Sequence, residues 1–110
     1  MYAVCIVHYV PDPALVDSVR PHHQTYIGPL LTNGTVVIAG SFDPPNTGAM
    51  FLYSVGDRAE AERVVADDPF VAEGAAKVAE LHLLETHGVR PDLLQVTQSF
   101  AQPGTGQQEP

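Results

Sequence analysis

The sequence has few of the residues on which several large classes of function depend. It contains one cysteine, no tryptophan, and only 5 Lys and Arg residues against 13 Asp and Glu residues, a net charge of −8. A single cysteine cannot build a disulfide framework or a thiolate metal cluster within the chain, and a reducing cytoplasm suits it. A chain of this charge repels phosphate backbones and anionic membranes, so we expect no nucleic acid or membrane partner.

Signatures of cofactor binding and of targeting are also missing. There is no G-x-G-x-x-G, Walker loop or G-x-S-x-G, so nucleotide cofactors and serine hydrolysis have no support. The apolar run at the N-terminus is too short to span a bilayer, has no basic residues before it, and predicts a first strand. His8 and His82 would approach each other if the first and last strands were neighbours, but a third metal ligand is not evident. We therefore expect neither a metal nor a cofactor.

The length of 110 residues and the hydrophobic content of 45% fit one folded domain. Residue patterns predict strands at 2–9, 36–39, 49–55 and 79–86, helices at 13–19, 21–32 and 58–66, and a short helical turn at 69–73. This β-α-β-β-α-β order is typical of the α+β ferredoxin-like fold, an antiparallel four-stranded sheet with its helices on one face. We assign residues 1–90 to the domain and 91–110 to a flexible tail, in which 98–110 are expected to be disordered.

The first predicted strand is apolar on both of its faces. Val4 and Ile6 alternate with Ala3, Cys5 and Val7, whereas a half-exposed antiparallel strand would alternate with polar residues. Because helices cover only one face of such a sheet, a second copy that packs sheet against sheet would bury the other face. The sequence therefore predicts a homodimer.

Two adjacent histidines, His22 and His23, follow Pro21. In a helix that begins at Pro21, unpaired N–H groups and the helix dipole disfavour a positive ring on His23, which predicts a neutral imidazole able to accept a proton. Asp68, in a break between helical segments, is the candidate carboxylate that orients this ring. In the alternative interpretation, Asp68 only caps the turn begun by Pro69 and His23 is a polar residue at a helix end.

Other side chains are candidates for the wall of a pocket around this pair. Arg20 could attract an anionic substrate into an otherwise acidic protein, although an exposed arginine before a helix is as often only solvated. The loop at 41–48 is rich in turn-forming residues and could line a site. Four aromatic residues could form a pocket wall or only pack in the core, namely Tyr9, Tyr26, Phe42 and Phe70. The candidate substrate-binding residues are Arg20, Ser41, Phe42, Tyr26 and Phe70.

Two stretches resemble motifs of a known family. V-R-P-H-H-Q-T-Y-I-G-P-L-L-T-N-G resembles the R-P-x-H-rich helix of the YCII-related (YciI-like) proteins, and D-D-P-F-V-A-E-G resembles their D-P-[FY]-V-x-A-G segment. The similarity covers about residues 1–87. It implies a dimeric α+β barrel in which a His–Asp pair, here His23 and Asp68, faces a pocket in each subunit, and it implies that His22 is a solvated neighbour. Ser41 and Glu73 depart from the family's pattern.

The resemblance also implies a cofactor-independent lyase or isomerase, with dehydrochlorination of a chlorinated hydroxyquinol as one activity represented in the family. We expect His23 to act as general base and then general acid on a small cyclic or aromatic substrate, while Asp68 orients the ring. The alternative is a dimeric binding or accessory module whose pocket holds a metabolite without transforming it. Neither hypothesis identifies the substrate.

Overall fold

In a computed structural model, which describes residues 1–92, the chain forms four strands and three helices. They are β1 (Tyr2–Tyr9), α1 (Pro13–Asn33), β2 (Val36–Ser41), β3 (Gly48–Ser54), α2 (Arg58–Asp67), α3 (Pro69–Ala72) and β4 (Ala76–Leu84). The strands form one antiparallel sheet in the order β2-β3-β1-β4, which confirms the predicted ferredoxin-like arrangement. The disorder predicted for 98–110 lies outside the described residues. No helix within 1–92 combines the length and apolar character needed to cross a membrane.

A single helix, α1, replaces the two helices predicted between residues 13 and 32. The predicted break is wrong, because Pro21 and Pro29 both lie inside α1. A proline in a helix removes one backbone hydrogen bond, but α1 buries Val16, Val19 and Ile27 against the core on both sides of Pro21. The burial of these side chains outweighs the lost hydrogen bond.

Both ends of α1 are determined locally. The Asp12 carboxylate accepts the N–H of Leu15 at 3.2 Å, and Pro13 occupies the first turn. Gly34, with a φ of 88°, ends the helix in the left-handed conformation that glycine adopts at low cost. These caps place His23 in the middle of α1, so its ring does not lie beside the unpaired N–H groups of a helix start. The prediction that a helix start and its dipole act on the ring of His23 is therefore wrong.

The sheet presents one face to the helices, and the core lies between them. Ala3, Cys5 and Val7 of β1 are at most 2% exposed, as expected for alternate residues that point to the same side. Phe51 and Tyr53 of β3 lie opposite Cys5 and Ala3 and extend this buried layer. The register of β1 and β3 thus positions Phe51 beneath α1, where the site forms.

The opposite face of the sheet is mainly apolar over β1, β2 and β3, carries Glu80 and His82 on β4, and remains half-buried or exposed in the single chain. Val4 pairs with Leu52 and Ile6 pairs with Met50 on this side. Ile38 of β2 lies opposite Leu52 and is 40% exposed. We call this surface the open face of the sheet.

The last strand, β4, begins and ends earlier than the predicted range of 79–86. Gly74 ends α3 with a φ of 77°, and the chain then enters the sheet directly, with Ala76 opposite Tyr9. In this register His82 lies opposite Val4 and not opposite His8. The two histidines are separated by four residues along the strand direction, roughly 13 Å. The expectation that they approach each other is wrong, and among residues 1–92 no group of three His, Cys, Asp or Glu side chains is placed to hold a metal ion.

Candidate active site

His23 and Asp68 meet where α1 passes the start of α3. His23 comes from the middle of α1, and Asp68 is the residue that ends α2 and caps α3. The Nδ1 atom of His23 lies 2.9 Å from Oδ1 and 3.0 Å from Oδ2 of Asp68. The two side chains are 12% and 4% exposed. The structure therefore brings the two predicted catalytic residues together in a pair that is almost fully buried.

Asp68 also makes the contact that the alternative interpretation proposed. Its Oδ1 accepts the backbone N–H of Phe70 at 2.9 Å, with Pro69 in the first turn of α3. This cap holds the carboxylate in place through a backbone contact that does not depend on His23. Asp68 thus makes both contacts, and the interpretation in which it only caps the turn and His23 lies at a helix end is wrong.

The contact with Asp68 determines which ring nitrogen of His23 is free. An ionised carboxylate only accepts hydrogen bonds, so we assign the proton to Nδ1, whose N–H donates a hydrogen bond to Asp68. In the neutral imidazole, Nε2 is then unprotonated and able to accept a proton. His23 lines a cavity, so Nε2 is the nitrogen available to a molecule bound there.

Two phenylalanine rings hold the plane of the His23 imidazole. The ring of Phe70 stacks on it with centroids 4.3 Å apart and planes inclined by 26°. The ring of Phe51 lies at 5.6 Å and is inclined by 55°. Both phenylalanines are at most 3% exposed, so they cannot move aside without opening the core. With Asp68 at its Nδ1, the ring is fixed before any ligand arrives.

A cavity of about 180 Å³ opens beside His23, between α1, α3 and the sheet. Its apolar wall is formed by Tyr9, Ala39, Ala49, Phe51 and Phe70. Its polar side chains, apart from His23, belong to Arg20, Gln24 and Ser41. Since an apolar cavity of about 150 Å³ can hold benzene, this volume suits one six-membered ring with small substituents.

The structure separates the five predicted substrate-binding residues into two groups. Arg20, Ser41 and Phe70 line the cavity, whereas Tyr26 and Phe42 do not. The hydroxyl of Tyr26 donates to the carbonyl of Val64 at 2.8 Å and so ties α1 to α2, and burial raises the pKa of Tyr26 to about 12. Phe42 follows the end of β2 and is 40% exposed.

Phe51 and Gln24 are among the lining residues that were not singled out from the sequence. A signal for Phe51 existed, because strand alternation places it on the same face as Ala49 and Tyr53. Gln24 carried no such signal, since it lies about 100° around the helix from His23 and is of a residue type that usually faces solvent.

His22 is exposed, as expected of a solvated neighbour, but it has a partner. Its Nδ1 lies 3.0 Å from Oε2 of Glu73, the residue that follows α3. Their side chains are 59% and 44% exposed. The adjacent histidines of α1 therefore contact the carboxylates at the two ends of α3, one pair at the surface and the other beside the cavity.

The negative charge of Asp68 acts on two buried groups, Cys5 and Tyr53. Burial raises the pKa of the Cys5 thiol to about 11; a hydrogen bond with Tyr53 lowers it, and the Asp68 carboxylate adds to the rise. Burial also raises the pKa of Tyr53 well above its ordinary range, and Cys5 and Asp68 add to this rise. Both groups therefore stay protonated near neutral pH, and Cys5 does not provide a thiolate nucleophile.

The sequence profile of the family described as "YCII-related domain" matches residues 1–102. No curated protein sequence matches the chain. Among solved structures, the chain is similar to 5-chloro-2-hydroxyhydroquinone dehydrochlorinase (TftG) from Burkholderia phenoliruptrix AC1100, solved in complex with 2,5-dihydroxybenzoquinone. The TM-score is 0.66 at 19% sequence identity, over 80% of this chain and 96% of that chain, a similarity that shows a shared fold.

Proposed function

The chain belongs to the family of YCII-related domains, and on this premise we propose that it is a small enzyme that uses His23 and Asp68 for general acid–base catalysis. The observation that carries the proposal is the buried contact between Nδ1 and the carboxylate, which leaves Nε2 as the proton acceptor beside a ring-sized cavity. The reaction class is an elimination, such as a dehydrochlorination, or an isomerisation of a small cyclic or aromatic compound.

The proton transfers of such a reaction are ones that His23 can perform. Nε2 takes a proton from the substrate, and the electron pair of the broken bond forms a new double bond. In an elimination the leaving group departs with its own bonding pair as an anion, and the imidazolium then releases its proton to water. In an isomerisation the imidazolium returns the proton to another atom of the substrate. Asp68 stabilises the imidazolium between the two transfers. Acid–base catalysis of this kind contributes about 10²–10⁴-fold in rate.

We propose that the reaction needs no cofactor. Neither an elimination nor an isomerisation passes electrons to an external acceptor, so a proton carrier and a shaped cavity are sufficient. Arg20, Ser41 and Phe70 are the proposed substrate-binding residues, because their side chains line the cavity. Tyr26 and Phe42 do not line it, which gives them no direct part in this proposal.

We also propose that two copies associate through the open face of the sheet. This face carries six apolar side chains in the single chain: Val4, Ile6, Ile38, Met50, Leu52 and Leu84. Burying one such side chain stabilises an assembly by roughly 1.5–3 kcal/mol, so several together can hold a dimer.

We further propose a cytoplasmic location. Cys5 is a free and buried thiol, and unpaired cysteines are typical of proteins in a reducing compartment.

The experiment that tests the catalytic proposal is incubation of the purified protein with a metabolite extract and with a chlorinated hydroxyquinol, followed by mass spectrometry. We expect a compound that the wild-type protein consumes and that His23→Ala leaves intact. A compound that is retained but never transformed would contradict the proposal and would identify a binding module instead. Equal consumption by the wild-type protein and His23→Ala would exclude the pair as the catalytic group.

A further inference from the structure

Arg20 is the only lysine or arginine among the residues of the described chain, 1–92, that line the cavity. Its guanidinium carbon lies 5.8 Å from the ring centroid of Phe70 and 6.0 Å from that of Tyr9. Both distances are within the range of cation–π contacts, which favour a fixed position for the guanidinium. A positive charge is therefore held at the cavity that His23 also lines.

The carboxylate partner of Arg20 neutralises this charge only weakly. One guanidinium nitrogen lies 3.4 Å from Oδ1 of Asp17, whose side chain is 70% exposed. An ion pair so long and so exposed contributes little, and one contact occupies one of five N–H donors. The guanidinium thus retains the charge and the hydrogen-bond donors to bind a second anion from the cavity.

The other charges of the chain repel an anion. The chain carries a net charge of −8, and the Asp68 carboxylate lies behind His23. An anionic ligand would be repelled by these charges unless a cation faced it directly. Arg20 supplies that cation, whereas the rest of the wall supplies apolar and aromatic surface that a flat ring can cover.

We infer, as a deepening of the proposed function, that the cavity takes a planar six-membered ring that bears an anionic oxygen, with that oxygen on Arg20. A phenolate, an enolate and a ring carboxylate share this chemistry. When Nε2 of His23 takes a proton from such a ring, the electron pair left behind delocalises onto the oxygen. Arg20 therefore selects the ligand and stabilises the charge that develops on it.

Calorimetric titration with benzoate and with 4-nitrophenolate tests the inference, with benzamide and 4-nitroanisole as the uncharged counterparts. We expect the wild-type protein to bind each anion at least about tenfold more tightly than its neutral counterpart. Arg20→Gln should lose this preference, and Arg20→Lys should keep part of it because the charge remains but the planar fork is gone. Arg58→Gln is the matched control, since Arg58 pairs with Glu62 on the surface and does not line the cavity.

The inference is wrong if the wild-type protein binds neither anion, binds the neutral rings equally well, or keeps its preference in Arg20→Gln. Failure of the catalytic proposal gives a different result. If anion binding depends on Arg20 but no compound is consumed, the inferred ligand class is supported and the catalytic proposal is wrong. If turnover depends on His23 but Arg20→Gln leaves the anion preference unchanged, the catalytic proposal is supported and the placement of the anionic oxygen on Arg20 is wrong.

Discussion

Phe70 holds His23 in two ways at once. Its ring stacks on the imidazole with centroids 4.3 Å apart, and its backbone N–H donates to the Asp68 carboxylate that binds Nδ1 of the same imidazole. The position of the proposed base thus depends on one residue of a short helix, α3, through both its side chain and its backbone. The cap persists under any substitution that keeps the backbone, so the two contributions can be separated.

Phe70→Leu should retain the cap on Asp68 and lose the stacked ring. Because Phe70 is 2% exposed, we expect the free energy of unfolding to fall by about 1–3 kcal/mol. With the ring less constrained, kcat on the identified substrate should fall by roughly tenfold or more. Phe42→Leu is the control, since Phe42 is exposed and lies outside the cavity wall. Equal losses in the two variants would show that Phe70 does not position His23.

Asp68→Asn should change the tautomer of His23 more than it changes the fold. Asparagine caps a helix about as well as aspartate, so we expect a loss of stability under about 1 kcal/mol. Its amide can also donate to Nδ1, which permits the tautomer protonated at Nε2 and removes the proton acceptor from the cavity. Long-range ¹⁵N–¹H spectra of the imidazole report the tautomer directly.

In these spectra we expect a proton on Nδ1 in the neutral wild-type ring and a shift towards Nε2–H in Asp68→Asn. Activity should fall at least about 100-fold. An unchanged tautomer together with full activity would show that Asp68 serves only as the cap of α3. Asp68→Ala, which loses the cap as well, should cost about 1 kcal/mol more in stability than Asp68→Asn.

Alkaline pH should destabilise the protein through its buried thiol. The folded-state pKa of Cys5, about 11, lies above its ordinary value of 9.0, so the unfolded chain loses its proton first. The contribution to stability is therefore complete below about pH 9 and is lost as the pH rises towards 11. Denaturant unfolding at stepped pH values should show this decline, and Cys5→Ala should make it shallower. A stability that is level from pH 8 to 11 would contradict the assigned burial.

The open face of the sheet predicts a dimer at micromolar concentration. Leu52→Glu places a charge opposite Val4 and Ile38 at the centre of this face and should give a folded monomer. Leu31→Glu is the matched control, because Leu31 is an exposed leucine of α1 that lies away from the sheet. Sedimentation velocity distinguishes the two species. A wild-type protein that sediments as a folded monomer would exclude the proposed interface.

The boundaries of the strands could be predicted best where the local sequence signals were strong. The range of β1 was predicted correctly because a β-branched and aromatic run is bounded by Pro11 and Pro13. The β4 strand lies at the edge of the sheet, with Leu83 and Leu84 both at least 40% exposed, so alternation could not locate it. The helix break predicted at Pro21 rested on the tendency of proline to interrupt a helix. The burial of α1 side chains on both sides of Pro21 outweighs that tendency.

The site could be predicted only in part, because its contacts join distant segments. His23 and Asp68 are 45 residues apart, and no spacing rule connects them. The position of Asp68 in a break between helical segments made it a candidate, and the family resemblance then favoured the pair. The contact of His22 with Glu73 had no signal, because Glu73 departs from the family's pattern. Arg20 was named from the sequence as a candidate substrate-binding residue, and in the structure it lies within the single helix α1 and lines the cavity.

Proton exchange tests the central claim, that Nε2 of His23 carries a proton to and from the ligand. The wild-type protein, His23→Ala and His22→Ala are incubated in D₂O with the ring compounds that the cavity accepts, and the compounds are analysed by mass spectrometry. We expect deuterium at a carbon of the ligand with the wild-type protein, at most a few-fold slower exchange with His22→Ala, and none above background with His23→Ala. Equal exchange with His23→Ala, or none with the wild-type protein, would contradict the account.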